Sequence, residues 1–180
     1  MRIVGGRLRG RTLHAPRGHV TRPTPERVRE AVFSILADVE GDRVLDLFAG
    51  SGALAIEALS RGAAEATLVD SSPAAIAAIR RNLESLGLAA EVRRQRALGF
   101  LEGARADARQ YDLVFLDPPY RHATALEREL STALAPVLAP GARIVAESDR
   151  RAPLELGLPA ARDERRYGDT LIRIYTHGSR

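Results

Sequence analysis

Asp117, Pro118 and Tyr120 are the residues best equipped to do chemistry. Leu113-Val-Phe-Leu116 reads as a buried strand and runs straight into Asp117-Pro-Pro-Tyr120, a rigid turn at the strand's carboxyl end, where open α/β sheets keep their active sites. Each proline fixes its own φ and restricts the residue before it, so the turn has few conformations to lose on folding. The group is suited to presenting an exocyclic amine. The Asp117 carboxylate and the Pro118 carbonyl each accept one of its N–H groups, while the Tyr120 ring stacks on the flat base that carries it. Holding both hydrogens favours the pyramidal nitrogen that can attack an activated methyl group. The plainer alternative is a strand, an Asx-type turn and a surface tyrosine.

A second candidate site lies upstream. Asp46-Leu-Phe-Ala-Gly-Ser-Gly-Ala53 falls at a strand-to-helix turn, where Gly50 and Gly52 let a ligand approach backbone N–H groups and a helix amino terminus. Gly50-Ser-Gly-Ala-Leu-Ala55 also satisfies the dinucleotide pattern G-x-G-x-x-A, with Asp70 the expected distance further on, so an NAD-dependent oxidoreductase is the rival reading. Asp46 argues against it: an acid beside a pyrophosphate is unfavourable, whereas the sulfonium and ammonium of S-adenosylmethionine welcome one. With that cofactor, Asp70 accepts the ribose hydroxyls and the Gly50–Gly52 backbone receives the methionine end. A turn-capping role is the plainer reading of Asp70.

The elements that must position these groups follow from periodicity. Thr24-Pro25 supplies an N-cap and a first-turn proline for a helix whose apolar stripe is Val28, Ala31, Val32, Ile35 and Leu36, leaving Arg27 and Arg29 off the stripe. Strands are expected at 43–48, 66–70, 90–94, 111–116 and 142–147, and helices at 53–61, from Ser72 to Gly87, at 98–108 and at 124–138. Pro140-Gly141 reads as the turn into the fifth strand. Two strand-like runs, 161–167 and 170–176, flank Gly168-Asp169 as a hairpin, which requires one antiparallel strand. The expected architecture is α/β, a mostly parallel sheet covered on both faces.

Composition limits the function classes. One domain is expected from 180 residues, divided as a basic hairpin and linker over 1–24 and a main domain over 25–180. With no cysteine, and with His14, His19, His122 and His177 scattered, no metal site is expected. All 27 basic residues are arginine, which removes lysine nucleophiles and the P-loop lysine. Residues 1–30 carry eight arginines against Glu26 and Glu30, so this end holds the positive charge, with Arg7, Arg9 and Arg11 at a hairpin tip facing a polyanion. No long apolar run or leader is visible, which fits a cytoplasmic protein without membrane contact.

Thr21-Arg-Pro-Thr24, Arg27-Val-Arg-Glu-Ala-Val-Phe33, Val44 to Leu54, Glu57-Ala-Leu-Ser-Arg-Gly-Ala63, the Asp117 turn and Tyr167-Gly-Asp-Thr170 together resemble the RsmD family over nearly the whole chain. The resemblance implies a Rossmann-like class I methyltransferase fold with a seven-stranded sheet, and S-adenosylmethionine bound by Asp46, Phe48, Gly50, Gly52, Asp70, Ser71, Ala97 and Leu98. It implies methylation at N2 of guanine(966) in bacterial 16S ribosomal RNA, on the small subunit or its assembly intermediate, with Arg7, Arg9, Arg11, Arg22 and Thr24 meeting the RNA. A monomer is the expected state. Asp70 stands where the family commonly has glutamate, and Arg96 can only donate, which leaves adenine recognition to backbone near Ala97 and Leu98. Outside this reading stand a DNA adenine N6-methyltransferase, for which no segment is long enough to recognise a target, and a non-catalytic RNA-binding module, which has no use for Asp46, Asp70 and Asp117.

Overall fold

The computed structural model describes residues 1–16, 24–118, 123–158 and 160–178. Apolar runs and amphipathic stripes alternate as α1 (Glu26–Leu36), β1 (Arg43–Asp46), α2 (Ala53–Ser60), β2 (Glu65–Asp70), α3 (Pro73–Leu86), β3 (Glu91–Arg94), α4 (Ala97–Ala106), β4 (Tyr111–Leu116), α5 (Ala123–Leu134), β5 (Leu138–Asp149), β6 (Ala160–Tyr167) and β7 (Thr170–His177). They build a seven-stranded sheet in the order β3-β2-β1-β4-β5-β7-β6. The first five strands are parallel, and the Gly168-Asp169 hairpin sets β7 antiparallel between β5 and β6. The seven-stranded Rossmann-like arrangement expected from the sequence is therefore the one observed. No helix among the described residues is long and apolar enough to cross a membrane.

Strand periodicity of two divides the core. Val44, Leu68, Phe115, Val145 and Ile172 point toward α1, α2 and α3, whereas Leu45, Val69, Val114, Ile144 and Leu116 point toward α4 and α5. Phe33 of α1 meets Phe115 at a ring-centroid distance of 5.9 Å, which fixes α1 over the centre of the sheet. On the other face Leu130 and Leu134 of α5 are buried.

Several sequence expectations need correction. Thr24 does not cap α1: Pro25 occupies the cap position without a side-chain bond, and the Thr24 hydroxyl turns inward to Glu147. Arg29 is 0% exposed rather than off the buried stripe, because its guanidinium donates to the carbonyls of Thr24, at 3.0 Å, and of Arg2. The α5 helix stops at Leu134, since Pro136 cannot donate to an α-helical ladder, and a 3₁₀ turn over Ala135–Val137 releases Leu138 into β5. Pro140-Gly141 is a bulged, exposed interruption inside β5, with Tyr111 paired to Leu138 and Leu113 to Arg143, instead of a turn before the strand.

The amino-terminal segment forms a short hairpin, bridged at Arg2 and Thr12 and closed by bonds between Ile3 and both Arg11 and Gly10. It lies along α2. Val4 N–H donates to the buried Glu57 carboxylate at 2.8 Å, Arg7 N–H to the Ser60 carbonyl at 2.7 Å, and Ile3 and Leu13 are buried against the sheet's α1–α3 face. Gly6 permits this contact: at φ +71° a Cβ there would stand 2.0 Å from the Ser60 carbonyl oxygen. Asn82 of α3 completes the attachment, accepting from His14 N–H and donating to the carbonyls of His14 and Ser51. The arginine-bearing tip thus rests at the carboxyl end of α2, about 12 Å along the helix from the turn that opens it.

Candidate active site

Four acids stand at the carboxyl ends of neighbouring strands. Asp46 ends β1, Asp70 ends β2, Asp117 follows β4, and Glu147 lies near the end of β5. Their register puts them on one face: Asp46 pairs with Phe115 and Leu68, Asp117 and Asp70 each lie two residues beyond those, and Glu147 pairs with Ile172. All of these partners face α1–α3, so the four carboxyls do as well. The spacing of acids in the sequence had identified three of them.

Asp46 is 3% exposed, and burial first, then the nearby Asp70, pushes its carboxyl from the ordinary 3.8 up to about 7, against the pull of the Ala55 and Phe48 backbone. Burial likewise holds Asp117 well above the usual carboxylate range, with Glu147 and Asp46 adding repulsion. Glu147, 5% exposed, is raised by burial, and the bond from Thr24 Oγ1 at 2.6 Å works the other way. Among the described residues none of the four makes an ion pair. Keeping Asp46 and Glu147 buried with Asp117 between them is costly to fold around, and a cationic ligand relieves the cost.

Asp70 bridges the two turns that frame the site. One carboxylate oxygen accepts from Gly50 N–H at 2.9 Å and the other from Ser72 N–H at 2.8 Å. The capping role is therefore present, and each oxygen keeps a further lone pair for a ligand. The turn after β1 is tight because Gly50 and Gly52 adopt φ +55° and +78°, and a Cβ on Gly52 would meet the Leu68 side chain at 2.9 Å. Ala49 N–H donates to the Val69 carbonyl and Gln95 N–H to the Asp70 carbonyl, which brings the loops after β1, β2 and β3 together.

The remaining candidates spread around this edge. Phe48 and Leu98 are half-buried against the α4–α5 core, Ala97 is buried at the start of α4, Ser71 is exposed, and Pro118 is buried behind Asp117. Arg7, Arg9 and Arg11 are exposed at the far end of α2, with Arg11 donating to the Ser85 carbonyl at 3.1 Å. Thr24 is buried. Arg22 and Tyr120 lie outside the described residues. No group of three or more acids and histidines among the described residues has the geometry to hold a metal ion.

Sequence reasoning missed Glu147 and Arg29, and it named Thr24 as a helix cap and an RNA contact without its bond to Glu147. A signal for Glu147 existed: it ends the apolar run Ile144-Val-Ala146 just as Asp46, Asp70 and Asp117 follow theirs. Nothing local marked Arg29 or the pairing of Thr24 with Glu147.

The family model described as Conserved hypothetical protein 95 matches residues 1–176. The chain is 38% identical over 185 residues to YlbH of Bacillus subtilis (strain 168), covering 97% of this chain and 98% of that protein. It is 45% identical over 123 residues to ribosomal RNA small subunit methyltransferase D of Escherichia coli (strain K12), covering 67% of this chain and 61% of the relative. Among solved structures, yhhF of Escherichia coli superposes with a TM-score of 0.84 at 34% identity over 100% of this chain and 99% of the other. An RNA methyltransferase from Salinibacter ruber, solved with S-adenosyl-L-homocysteine, shares the fold at a TM-score of 0.67 and 22% identity, over 88% of this chain and 95% of that one.

Proposed function

Since the chain belongs to the RsmD family, we propose that it is an S-adenosylmethionine-dependent enzyme that methylates small-subunit ribosomal RNA, at N2 of the guanine called guanine(966) in 16S RNA. The observation that carries this reading is the group of raised carboxyls of Asp46, Asp117 and Glu147 at neighbouring strand ends, without a cationic partner among the described residues and with Asp117 followed by proline. The residues fit the cofactor. Asp46 offers negative charge to a sulfonium and an ammonium, Asp70 keeps outward lone pairs for ribose hydroxyls, and the Gly50–Gly52 turn leaves backbone accessible. Phe48, Ser71, Ala97 and Leu98 surround the nucleoside end in this assignment. NAD fits less well, because its pyrophosphate would face Asp46.

S-adenosylmethionine, when bound, supplies an electrophilic methyl group. The chain's own contribution is to hold the acceptor nitrogen in place: the Asp117 carboxylate and the Pro118 carbonyl accept its two hydrogens, and Tyr120 stacks on the extruded base. Asp117 then takes the proton the amine gives up. We place the enzyme in the cytoplasm as a monomer acting on the small subunit or its assembly intermediate.

The deciding experiment offers methyl-labelled cofactor to unmodified small-subunit particles, naked 16S RNA and DNA, followed by nucleoside analysis. Label in N2-methylguanosine from one position of 16S RNA is the expected result. Label in N6-methyladenine, or none in RNA, defeats the reading.

RNA contact by the arginine tip has its own test. Replacing Arg7, Arg9 and Arg11 by alanine should flatten the salt dependence of RNA binding, by about two to three in log–log slope at roughly 0.7 to 0.9 per phosphate contact. An unchanged slope makes this tip solvated surface, consistent with its distance from the turn that opens α2.

A further inference from the structure

We propose that Glu147 is a positioning residue for methyl transfer: its carboxylate, fixed beside Asp117 by Thr24, makes Asp117 the stronger acceptor of the proton released by the target amine. The inference rests on the methyltransferase reading above and adds a residue to it.

The geometry begins with register. Leu116 pairs with Ala146 across the parallel β4–β5 ladder, so the next pair along is Asp117 and Glu147, with side chains on the same face. A glutamate at 5% exposure in mid-sheet would ordinarily be paired with a base. Here its partner is a hydroxyl: Thr24 Oγ1 donates to Glu147 at 2.6 Å, and the Thr24 carbonyl is held in turn by Arg29 Nη1 at 3.0 Å. That chain of contacts spans 123 residues of sequence and fixes the acid where it stands. The groups that face Glu147 among the described residues are Asp117 just past β4, Asp46 beyond it on β1, Thr24 with Arg29 behind it at the head of α1, and the apolar Ile172 on β7. Negative charge therefore reaches Asp117 from both sides, from Glu147 more strongly than from Asp46.

This arrangement matches the bond changes required. The S–CH₃ bond breaks with its electron pair left on sulfur, and the nitrogen lone pair forms the N–CH₃ bond. The N–H bond then breaks, its pair returning to nitrogen and its proton passing to the Asp117 carboxylate. An isolated aspartate is a weak base for that proton, and a second carboxylate beside it strengthens it. Glu147 touches neither substrate nor cofactor in this scheme; it acts through Asp117.

The test measures single-turnover methyl transfer against pH for the wild type, Glu147→Gln and Glu147→Asp, with calorimetry of S-adenosyl-L-homocysteine binding on each. Glutamine keeps the shape and the Thr24 contact but removes the charge, so the acid limb of the rate should move down by about one pH unit and the plateau should fall about tenfold. Product affinity should stay within about threefold of wild type, and aspartate should return the limb toward its original position. An acid limb that stays put in Glu147→Gln, or that moves upward, overturns the proposal. So does loss of product binding, which would make Glu147 part of the cofactor site. If the variant does not fold, a carboxyl-carbon NMR titration of the unaltered protein decides: Asp117 and Glu147 should share two titration steps, and independent single steps overturn it. Failure of the parent reading looks different, since wild-type enzyme would then transfer no label to ribosomal RNA.

Discussion

Asp117→Ala should lower the rate of methyl transfer by roughly 100- to 10,000-fold while leaving the protein folded and able to bind S-adenosyl-L-homocysteine. The size follows from two losses at once. Alanine removes the acceptor that orients the amine, and it removes the site that receives the departing proton. Binding should survive because Asp117 stands past β4, whereas the groups we propose for the cofactor cluster at the turns after β1, β2 and β3. Folding should survive because the carboxyl is held above its usual range by burial, by Glu147 and by Asp46, so removing it relieves repulsion. Asp117→Asn keeps one acceptor oxygen and should fall between the two. Single-turnover rates with labelled cofactor, read beside calorimetry, check all three statements, and an alanine variant with near-normal rate removes Asp117 from the chemistry.

Asp46→Asn should make the cofactor-free protein more stable and its cofactor binding weaker. The Asp46 carboxyl sits at about 7 in the folded chain against an ordinary 3.8. Its folded value is the higher one, so the stability it contributes is fully present below the unfolded value and is lost as pH rises toward 7. The advantage of the asparagine variant should accordingly be near zero around the unfolded value and grow to roughly 4 kcal/mol above pH 7, at about 1.4 kcal/mol for each pH unit that separates the folded and unfolded values. Urea unfolding at several pH values measures this, and a difference that does not change with pH counts against it. Cofactor binding should show the opposite preference. A cation binds the ionised acid, so affinity in the wild type should fall up to about tenfold per unit as pH drops below 7, with proton uptake by Asp46 as the cause. The asparagine variant should bind on the order of 100-fold more weakly at pH 8 and lose that dependence. With both results, one acid would cost stability and provide recognition, a trade common at sites that must bind charge.

The sequence alone determined the elements and three of the four acids. Short apolar runs bounded by turn residues and rich in β-branched side chains read as buried strands, Gly50 and Gly52 permit a tight turn, and Gly168-Asp169 permits a two-residue hairpin, so the sheet and its antiparallel strand were readable from local pattern. Asp46, Asp70 and Asp117 were readable for the same reason, since each stands at or just past the end of such a run. What local pattern could not supply was who stands beside whom. Glu147 gained its meaning only when β5 settled next to β4, and Thr24 left its expected cap because a hydroxyl facing a buried carboxylate gains more from that bond than from a helix end already opened by Pro25. Arg29 looked like a surface residue until the hairpin's Arg2 carbonyl and the Thr24 carbonyl just before α1 received its guanidinium in place of water. The same hairpin carried its arginines along α2, away from the turn that opens it. Periodicity acts over a few residues and is written in the chain; burial, charge compensation and the choice of hydrogen-bond partner depend on residues brought together by the fold, 123 positions apart for Thr24 and Glu147, and exist only once the sheet has closed.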